Sequence, residues 1–187
     1  HVAVRRQRQM CIRDSYIILK WAEPIDGYIA PKSKRDKRPH WISNELSRQI
    51  SHKWRSQEHA IMIGHNTVKH DTPILNTRNW NNINNRKFII GNDQIGLNGF
   101  EKIETKGKTL KALDICEYLR DKKIQSVIIE GGRFTLNKFL EEDVWDEVRV
   151  FKADTKIVDG IHAPKLKSKY CKKNKVGDDT LYFFKNY

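Results

Sequence analysis

The sequence lacks an apolar run near the roughly 20 residues that a membrane-spanning helix needs, so we expect no membrane protein. Its three cysteines, Cys11, Cys116 and Cys171, are an odd number at unrelated spacings, which argues against a disulfide framework and favours the cytoplasm. The signatures of zinc deaminases, P-loops and glycine-rich dinucleotide loops are also missing. The seven histidines have no paired cysteines beside them, so we predict no metal site.

Acidic residues are too few to balance the basic ones, 23 against 36, and the formal net charge is +13. Such a charge indicates an anionic partner: nucleic acid, a membrane surface or a phosphorylated small molecule. The lysines are scattered instead of forming one stripe, and they accompany many asparagines and isoleucines, a bias that an AT-rich genome produces. We therefore favour a phosphorylated small molecule, and a basic RNA-binding module remains the alternative of a different class.

The first fifteen residues have no apolar periodicity and no apolar segment of the kind that a secretory signal contains. Residues 5–15 resemble the translated read-through of a sequencing adapter. We therefore expect residues 1–15 to be a non-native or disordered leader and residues 16–187 to be one domain, a size typical of single domains. A foreign end also suggests a truncated gene product.

Short apolar runs indicate buried strands. They lie at residues 16–21, 59–64, 87–91, 127–129, 148–151 and 181–184. Helical patterns lie between them. Ser43 is expected to cap a helix with Leu46, Ile50 and Trp54 on its apolar face.

Two further helices are predicted, one over residues 109–122 and one over residues 134–140. The apolar face of the first is expected to hold four side chains, Leu110, Leu113, Cys116 and Leu119. Strands that are apolar on both faces and alternate with helices predict one α/β domain, with a mainly parallel central sheet and helices on both faces.

Two segments are candidates for a functional site. A predicted strand runs into Gly131 and Gly132 and a helix begins at once, an arrangement that attracts phosphate, although such a turn also serves geometry alone. Glu130 lies where strand carboxyl ends meet the ligand crevice of α/β sheets, or it is a partner of the helix dipole. Thr67 and Asp71 follow another strand, where loops often carry function, and plain turn chemistry is the alternative. The residues alone therefore predict an α/β domain that binds a phosphorylated ligand.

An ordered set of short motifs points to a family. They are Leu19-Lys20-Trp21-Ala22 with Asp26-Gly27, Trp41-Ile42-Ser43, Ser47-Arg48 with Arg55, Ala60-Ile61 to Gly64, Thr67-Val68, Asp71-Thr72-Pro73-Ile74-Leu75 with Arg78, Glu130-Gly131-Gly132, Leu140, Trp145-Asp146-Glu147, Val150-Phe151, Gly160-Ile161 and Ala163-Pro164. This order resembles the reductase domain of the bifunctional riboflavin-biosynthesis deaminase–reductase over essentially all of residues 16–187.

The resemblance implies a dihydrofolate-reductase-like fold and an oxidoreductase that uses NADPH. Its expected reaction reduces the ribosyl side chain of 5-amino-6-(5-phosphoribosylamino)uracil to ribityl. The nearest alternative is the fungal and archaeal type of reductase, which acts on the diaminopyrimidinone before deamination. The resemblance also implies a homodimer and, in the native protein, a zinc deaminase domain upstream.

The resemblance assigns roles by position. Contacts to NADPH are expected from Glu23 (through its backbone), Trp41, Thr67, Asp71, Gly131, Gly132, Arg133, Phe134 and Thr135. Substrate contacts are expected from Pro39, Arg55, Leu75, Arg78 and Glu130.

Three residues are expected to act in catalysis. Asp71 would orient the substrate sugar and the nicotinamide, and Lys20 and Glu130 would contact sugar hydroxyls and deliver the proton. The two guanidinium groups of Arg55 and Arg78 suit the 5′-phosphate and the polar groups of the ring.

The sequence departs from the family pattern at three positions. Pro24, Pro39 and Thr72 each replace a residue that usually supplies a side-chain contact. We expect these changes to alter affinity, with backbone groups as substitutes.

Overall fold

The computed structural model describes residues 15–32, 41–71, 73–78, 80, 85–91, 98–104, 111–167 and 172–186. These residues form ten β-strands and four α-helices. In chain order they are β1 (Tyr16–Pro24), β2 (Tyr28–Pro31), α1 (Glu45–Gln57), β3 (Ala60–Gly64), α2 (His65–Asp71), β4 (Arg86–Ile90), β5 (Glu101–Ile103), α3 (Ala112–Asp121), β6 (Ser126–Ile129), α4 (Arg133–Glu141), β7 (Glu147–Ala153), β8 (Gly160–His162), β9 (Lys172–Val176) and β10 (Asp179–Lys185).

Eight strands form one sheet in the order β5-β4-β3-β6-β1-β7-β10-β9, and β2 pairs with β8 in a separate antiparallel ribbon. The neighbouring strands from β5 to β7 are parallel, and β10 is antiparallel to both β7 and β9. The prediction of a mainly parallel α/β sheet is therefore confirmed. Parallel strands put their carboxyl ends at one edge, where α/β proteins bind ligands.

Hydrophobic side chains cover both faces of the sheet. Ile17 and Leu19 of β1 belong to the larger cluster, together with buried side chains of α3 and α4. Ile18 points the other way, because successive strand residues alternate, and it joins a smaller cluster with Val68 of α2, against which Trp54 of α1 packs. Helices on both faces, as predicted, follow from this alternation.

The inward face of α1 differs from the prediction. Asn44, not Ser43, is the N-cap, and its Oδ1 accepts a hydrogen bond from the Ser47 N–H at 2.9 Å. Leu46 is exposed, whereas Ser47, Ser51 and His52 are buried. The four-residue apolar spacing is correct for Trp54, which packs against the smaller cluster, and wrong for Leu46, because small and polar residues fill the rest of the inward face.

The predicted face of α3 is also partly wrong. Ala112, Ile115 and Leu119 are its buried residues, and Leu113 is exposed. A spacing of three residues drifts around a helix of 3.6 residues per turn, so a run of such positions does not stay on one face. Leu110 lies outside the described residues, as do residues 1–14, so the prediction for the leader stays a prediction.

Candidate functional site

The carboxyl ends of β1, β3 and β6, the inward face of α1 and residues 73–78 enclose a cavity of about 580 Å³. Six residues predicted to act at the site line it. Five come from β1, α1 and α2 or follow β6 directly, and Trp41 lies in the segment before α1; the six are Lys20, Trp41, Arg55, Thr67, Asp71 and Glu130. Leu75 and Arg78 line it from the segment after α2. The cavity therefore collects side chains that lie up to about a hundred residues apart in the chain, at the edge where a parallel sheet binds ligands.

Three charged side chains, all largely buried, form a cluster in the cavity wall. Arg55 donates from Nε to Glu130 Oε1 at 2.6 Å and from Nη2 to Oε2 at 2.7 Å. Lys20 Nζ lies 3.6 Å from Glu130 Oε2. Lys20 comes from β1, Arg55 from the last turn of α1, and Glu130 follows β6 directly. One carboxylate thus joins two strands and a helix.

Burial and charge shift the protonation equilibria of this cluster. Burial alone would raise the pKa of Glu130, but the Arg55 and Lys20 charges outweigh it and lower this pKa to about 2. Burial lowers the pKa of Lys20 below its ordinary value, with Arg55 adding to the effect and Glu130 opposing it. Glu130 is therefore ionised at neutral pH, and Lys20 releases its proton more readily than an exposed lysine does.

Trp41, Thr67 and Asp71 also line the cavity. The Trp41 ring is exposed and lies 5.0 Å from the Arg48 guanidinium carbon in a cation–π contact. Thr67 lies within α2, and Asp71 is its last residue. Both are half-buried and belong to α2, which fixes their backbone at the cavity wall.

The turn between β6 and α4 lies next to Thr67. Gly64 N–H donates to the Gly131 carbonyl at 2.7 Å, and a Cβ on Gly132 would lie 3.0 Å from Thr67 Oγ1. The turns after β3 and β6 therefore touch. Gly132 caps α4 without a side-chain hydrogen bond, which leaves the N–H groups of the first turn available.

Some predicted residues lie outside the cavity. Among the described residues that line it, none comes from the turn of Gly131, Gly132, Arg133, Phe134 and Thr135. Nor does the Glu23 carboxylate face it: that group accepts from Trp21 Nε1 at 2.8 Å and pairs with Lys152 Nζ at 3.0 Å. Pro39 and Thr72 lie outside the described residues.

Sequence reasoning missed several lining residues. Arg48, Ser51 and His52 reach the cavity from the same face of α1 as Arg55, and Asn76 reaches it from residues 73–78. The available signal was their spacing of three and four residues, which marks a polar face of one helix.

Comparisons with known proteins agree on one family. Residues 15–166 match the family model of the RibD C-terminal domain. The riboflavin biosynthesis protein RibD of Aquifex aeolicus is 27% identical in an alignment of 209 positions that covers 92% of this chain and 58% of that protein. This chain therefore spans little more than half the length of that relative.

Solved structures show the fold. A diaminohydroxyphosphoribosylaminopyrimidine deaminase/5-amino-6-(5-phosphoribosylamino)uracil reductase from Thermotoga maritima superimposes with a TM-score of 0.75 at 19% identity, over 100% of this chain and 59% of that one. Dihydrofolate reductase from Enterococcus faecalis, complexed with NADP(H), gives a TM-score of 0.60 at 12% identity, over 92% of this chain and 97% of that one. The predicted dihydrofolate-reductase-like fold is confirmed, and the chain belongs to the family of RibD C-terminal domains.

Proposed function

We propose that this domain reduces the ribosyl side chain of 5-amino-6-(5-phosphoribosylamino)uracil to ribityl with NADPH as the reductant. The observation that carries the proposal is the buried cluster of Lys20, Arg55 and Glu130 in the wall of the cavity, in a domain of this family. The cluster holds two cations and one anion, so it carries one net positive charge while Lys20 is protonated. Such a site suits an anionic, hydroxyl-rich substrate.

The residues around the glycine turn fit a phosphate-bearing cofactor. Gly132 leaves the first N–H groups of α4 without a side-chain cap, and the start of a helix attracts phosphate. A Cβ on Gly132 would meet Thr67 Oγ1 at 3.0 Å, so the glycine allows Thr67 of α2 to lie close to the turn. In our proposal Thr67 and the turn of residues 131–135 hold the phosphates of NADPH, and Trp41 and the Glu23 backbone contact its other groups.

The remaining cavity residues suit the substrate. Arg78 is exposed at the cavity and has a planar guanidinium that pairs with phosphate oxygens bidentately. The Nε and Nη2 groups of Arg55 already donate to the Glu130 carboxylate. In our proposal Arg55 orients that carboxylate and contacts the substrate with its remaining N–H groups. Leu75 supplies apolar surface, and Pro39 keeps its proposed substrate contact by resemblance.

The chemistry divides between cofactor and protein. NADPH, when bound, supplies the hydride for carbon C1′ of the ring-opened imine form of the substrate. The nitrogen of that C=N bond then takes a proton, for which Lys20 is the donor, because burial favours its deprotonated form. Glu130 stays ionised and accepts hydrogen bonds from sugar hydroxyls. Asp71 orients the sugar against the nicotinamide, since positioning supplies much of the rate when the cofactor carries the chemistry.

The test is a reduction assay with two substrates. Purified protein and NADPH receive either the phosphoribosylaminouracil or the corresponding diaminopyrimidinone, and loss of nicotinamide absorbance is followed. We expect turnover with the aminouracil. Turnover with the diaminopyrimidinone alone would favour the fungal and archaeal type of reaction. Tight, steeply salt-dependent RNA binding without NADPH affinity would instead favour the RNA-binding module.

Three further features follow from the family resemblance. We propose a homodimer, a cytoplasmic location and, as the printed name of the Thermotoga maritima protein pairs a deaminase with a reductase, a native partner domain of the zinc deaminase type. Light scattering of the purified protein tests the first. The genomic sequence upstream of residue 16 tests the last. Within the described residues, no helix is long and apolar enough to cross a membrane.

A further inference from the structure

We propose that His52 is a positioning residue that holds residues 73–78 in the conformation that presents Leu75 and Arg78 to the cavity. Its effect on turnover rests on the proposed function, whereas its effect on the segment itself does not. We call residues 73–78 the substrate loop.

The hydrogen bonds of the substrate loop lead to α1 and β4. His52 is 6% exposed, and its Nδ1 lies 2.7 Å from the Asn76 carbonyl oxygen. Arg55 Nη1 donates to the same oxygen at 3.2 Å. Lys87 Nζ of β4 donates to the Ile74 carbonyl at 3.2 Å. Side chains of α1 and β4 therefore hold two carbonyls of the loop, and a third, that of Thr77, accepts from the Trp80 N–H at 3.1 Å.

The loop backbone needs such support. Leu75 and Arg78 both have φ values of 47°, in the left-handed region that L side chains rarely adopt. The loop belongs to neither a helix nor a strand, so its carbonyls depend on partners elsewhere. Leu75 is also buried in the smaller hydrophobic cluster. Asn76 lies between Leu75 and Arg78 in the chain. A hydrogen bond to its carbonyl therefore restrains the backbone of both residues.

The partner of His52 sets its tautomer. A carbonyl oxygen only accepts hydrogen bonds, so the proton must be on Nδ1. Burial lowers the pKa of His52, the hydrogen bond to the Asn76 carbonyl opposes this, and nearby Arg55 and Arg78 add to the lowering, so the neutral ring with Nδ1–H is favoured. Protonation of the ring would keep this donor. The decisive property is therefore a donor at the Nδ1 position, not the charge of the ring.

Four variants test this inference. In His52→Asn the side-chain amide nitrogen can occupy the position of Nδ1, whereas His52→Gln carries its amide too far along the side chain, and His52→Leu has no donor. Gln57→Leu, exposed on the same helix, is the matched control. The readouts are kcat, the KM values for the aminouracil and NADPH, and the rate of tryptic cleavage after Arg78 in the folded protein, located by mass spectrometry.

We expect His52→Leu and His52→Gln to raise the KM for the aminouracil about fivefold, the effect of one lost hydrogen bond, while kcat and the KM for NADPH change less than about twofold. Cleavage after Arg78 should accelerate by a similar factor, because the loop opens more often. His52→Asn and Gln57→Leu should match the wild type. The inference is overturned if His52→Leu and His52→Gln also match it, or if His52→Asn is as impaired as they are.

The two proposals fail separately. If the wild type reduces neither substrate, the proposed function is wrong, and the cleavage rates still decide the role of His52. If His52→Leu does not fold, the comparison of His52→Gln with His52→Asn decides instead.

Discussion

Arg55 and Glu130 lie 75 residues apart in the chain, and their side chains form two parallel hydrogen bonds of 2.6 and 2.7 Å. A bidentate pair of this kind fixes the orientation of both groups as well as their distance. It ties the last turn of α1 to the carboxyl end of β6, and Lys20 approaches the same carboxylate. The stability of the domain and the chemistry of the cavity therefore depend on one carboxyl group.

Removal of the Glu130 charge should destabilise the domain. Glu130→Gln leaves Lys20 and Arg55 buried without their counter-charge, and the loss of one partner of a buried ion pair costs about 3 kcal/mol or more. Urea unfolding at pH 7 measures the loss. Glu141→Gln, an exposed residue of α4, is the control.

The same pair predicts the direction of the pH dependence. The pKa of Glu130 is lowered from 4.5 to about 2 in the folded protein. Its stabilisation is therefore fully present above the ordinary value and is lost as the pH falls towards 2. The difference in unfolding free energy between wild type and Glu130→Gln should shrink over this interval. A difference independent of pH would contradict the assignment.

Lys20→Met should lower kcat by about a hundredfold, the usual contribution of a positioned proton donor. Burial lowers the pKa of Lys20, so wild-type kcat should fall with rising pH below the ordinary lysine value of 10.5. Lys20→Arg should move this decline to higher pH because a guanidinium keeps its proton. Turnover of Lys20→Met within twofold of wild type would remove Lys20 from the reaction.

Asp71→Asn should lower kcat at least about tenfold, equivalent to ~1.4 kcal/mol in the barrier. The amide keeps the shape of the side chain and removes the charge that we assign to orienting the sugar. Steady-state kinetics and a fluorescence titration with NADPH measure the two effects separately. Normal turnover with NADPH bound would make Asp71 a turn residue only.

Arg78→Gln should raise the KM for the substrate about tenfold and leave kcat nearly unchanged, because a phosphate contact is made before and during the transition state. The wild-type KM should rise with salt, and the KM of the variant should respond less. Arg120→Gln, an exposed arginine of α3 paired with Asp121, controls for the loss of one surface charge.

Gly132→Ala should weaken NADPH binding about tenfold, the usual order for an overpacked site. Its φ of −73° accommodates alanine, so the effect comes from the new Cβ, which would lie 3.0 Å from Thr67 Oγ1. Thr67→Ala combined with Gly132→Ala relieves this contact, so the binding losses of the two changes should not add. Additive losses would show that the contact is not the cause.

Several elements of this protein follow from local patterns. The buried strands β3, β4 and β6 lie within one residue of their predicted positions, and β1 ends three residues later than predicted, because strands covered on both faces read as continuous apolar runs. The short strands β2, β5, β8 and β9 were not predicted. β9 is exposed except at Val176, so its sequence has no apolar pattern to reveal it.

The candidate site was predictable as a set of positions and not as a set of contacts. The sequence predicts separate roles for Lys20, Arg55 and Glu130. Only the structure shows that the Glu130 carboxylate accepts two hydrogen bonds from the Arg55 guanidinium. His52 was not predicted because its partner is the backbone carbonyl of Asn76. Every residue has such a carbonyl, so the sequence does not show which one a histidine will contact.

The sequence by itself determined the parallel α/β sheet and the family, since both depend on apolar runs and on short motifs in order. The tertiary structure alone decided which face of α1 turns inward. At the start of the helix that face can be polar because Ser47 has a buried partner. Its hydroxyl donates a hydrogen bond of 2.6 Å to Oδ2 of Asp179 in β10, which lies 132 residues away in the chain. Helical periodicity is a local property, whereas a buried polar group stays buried only where a distant partner satisfies it.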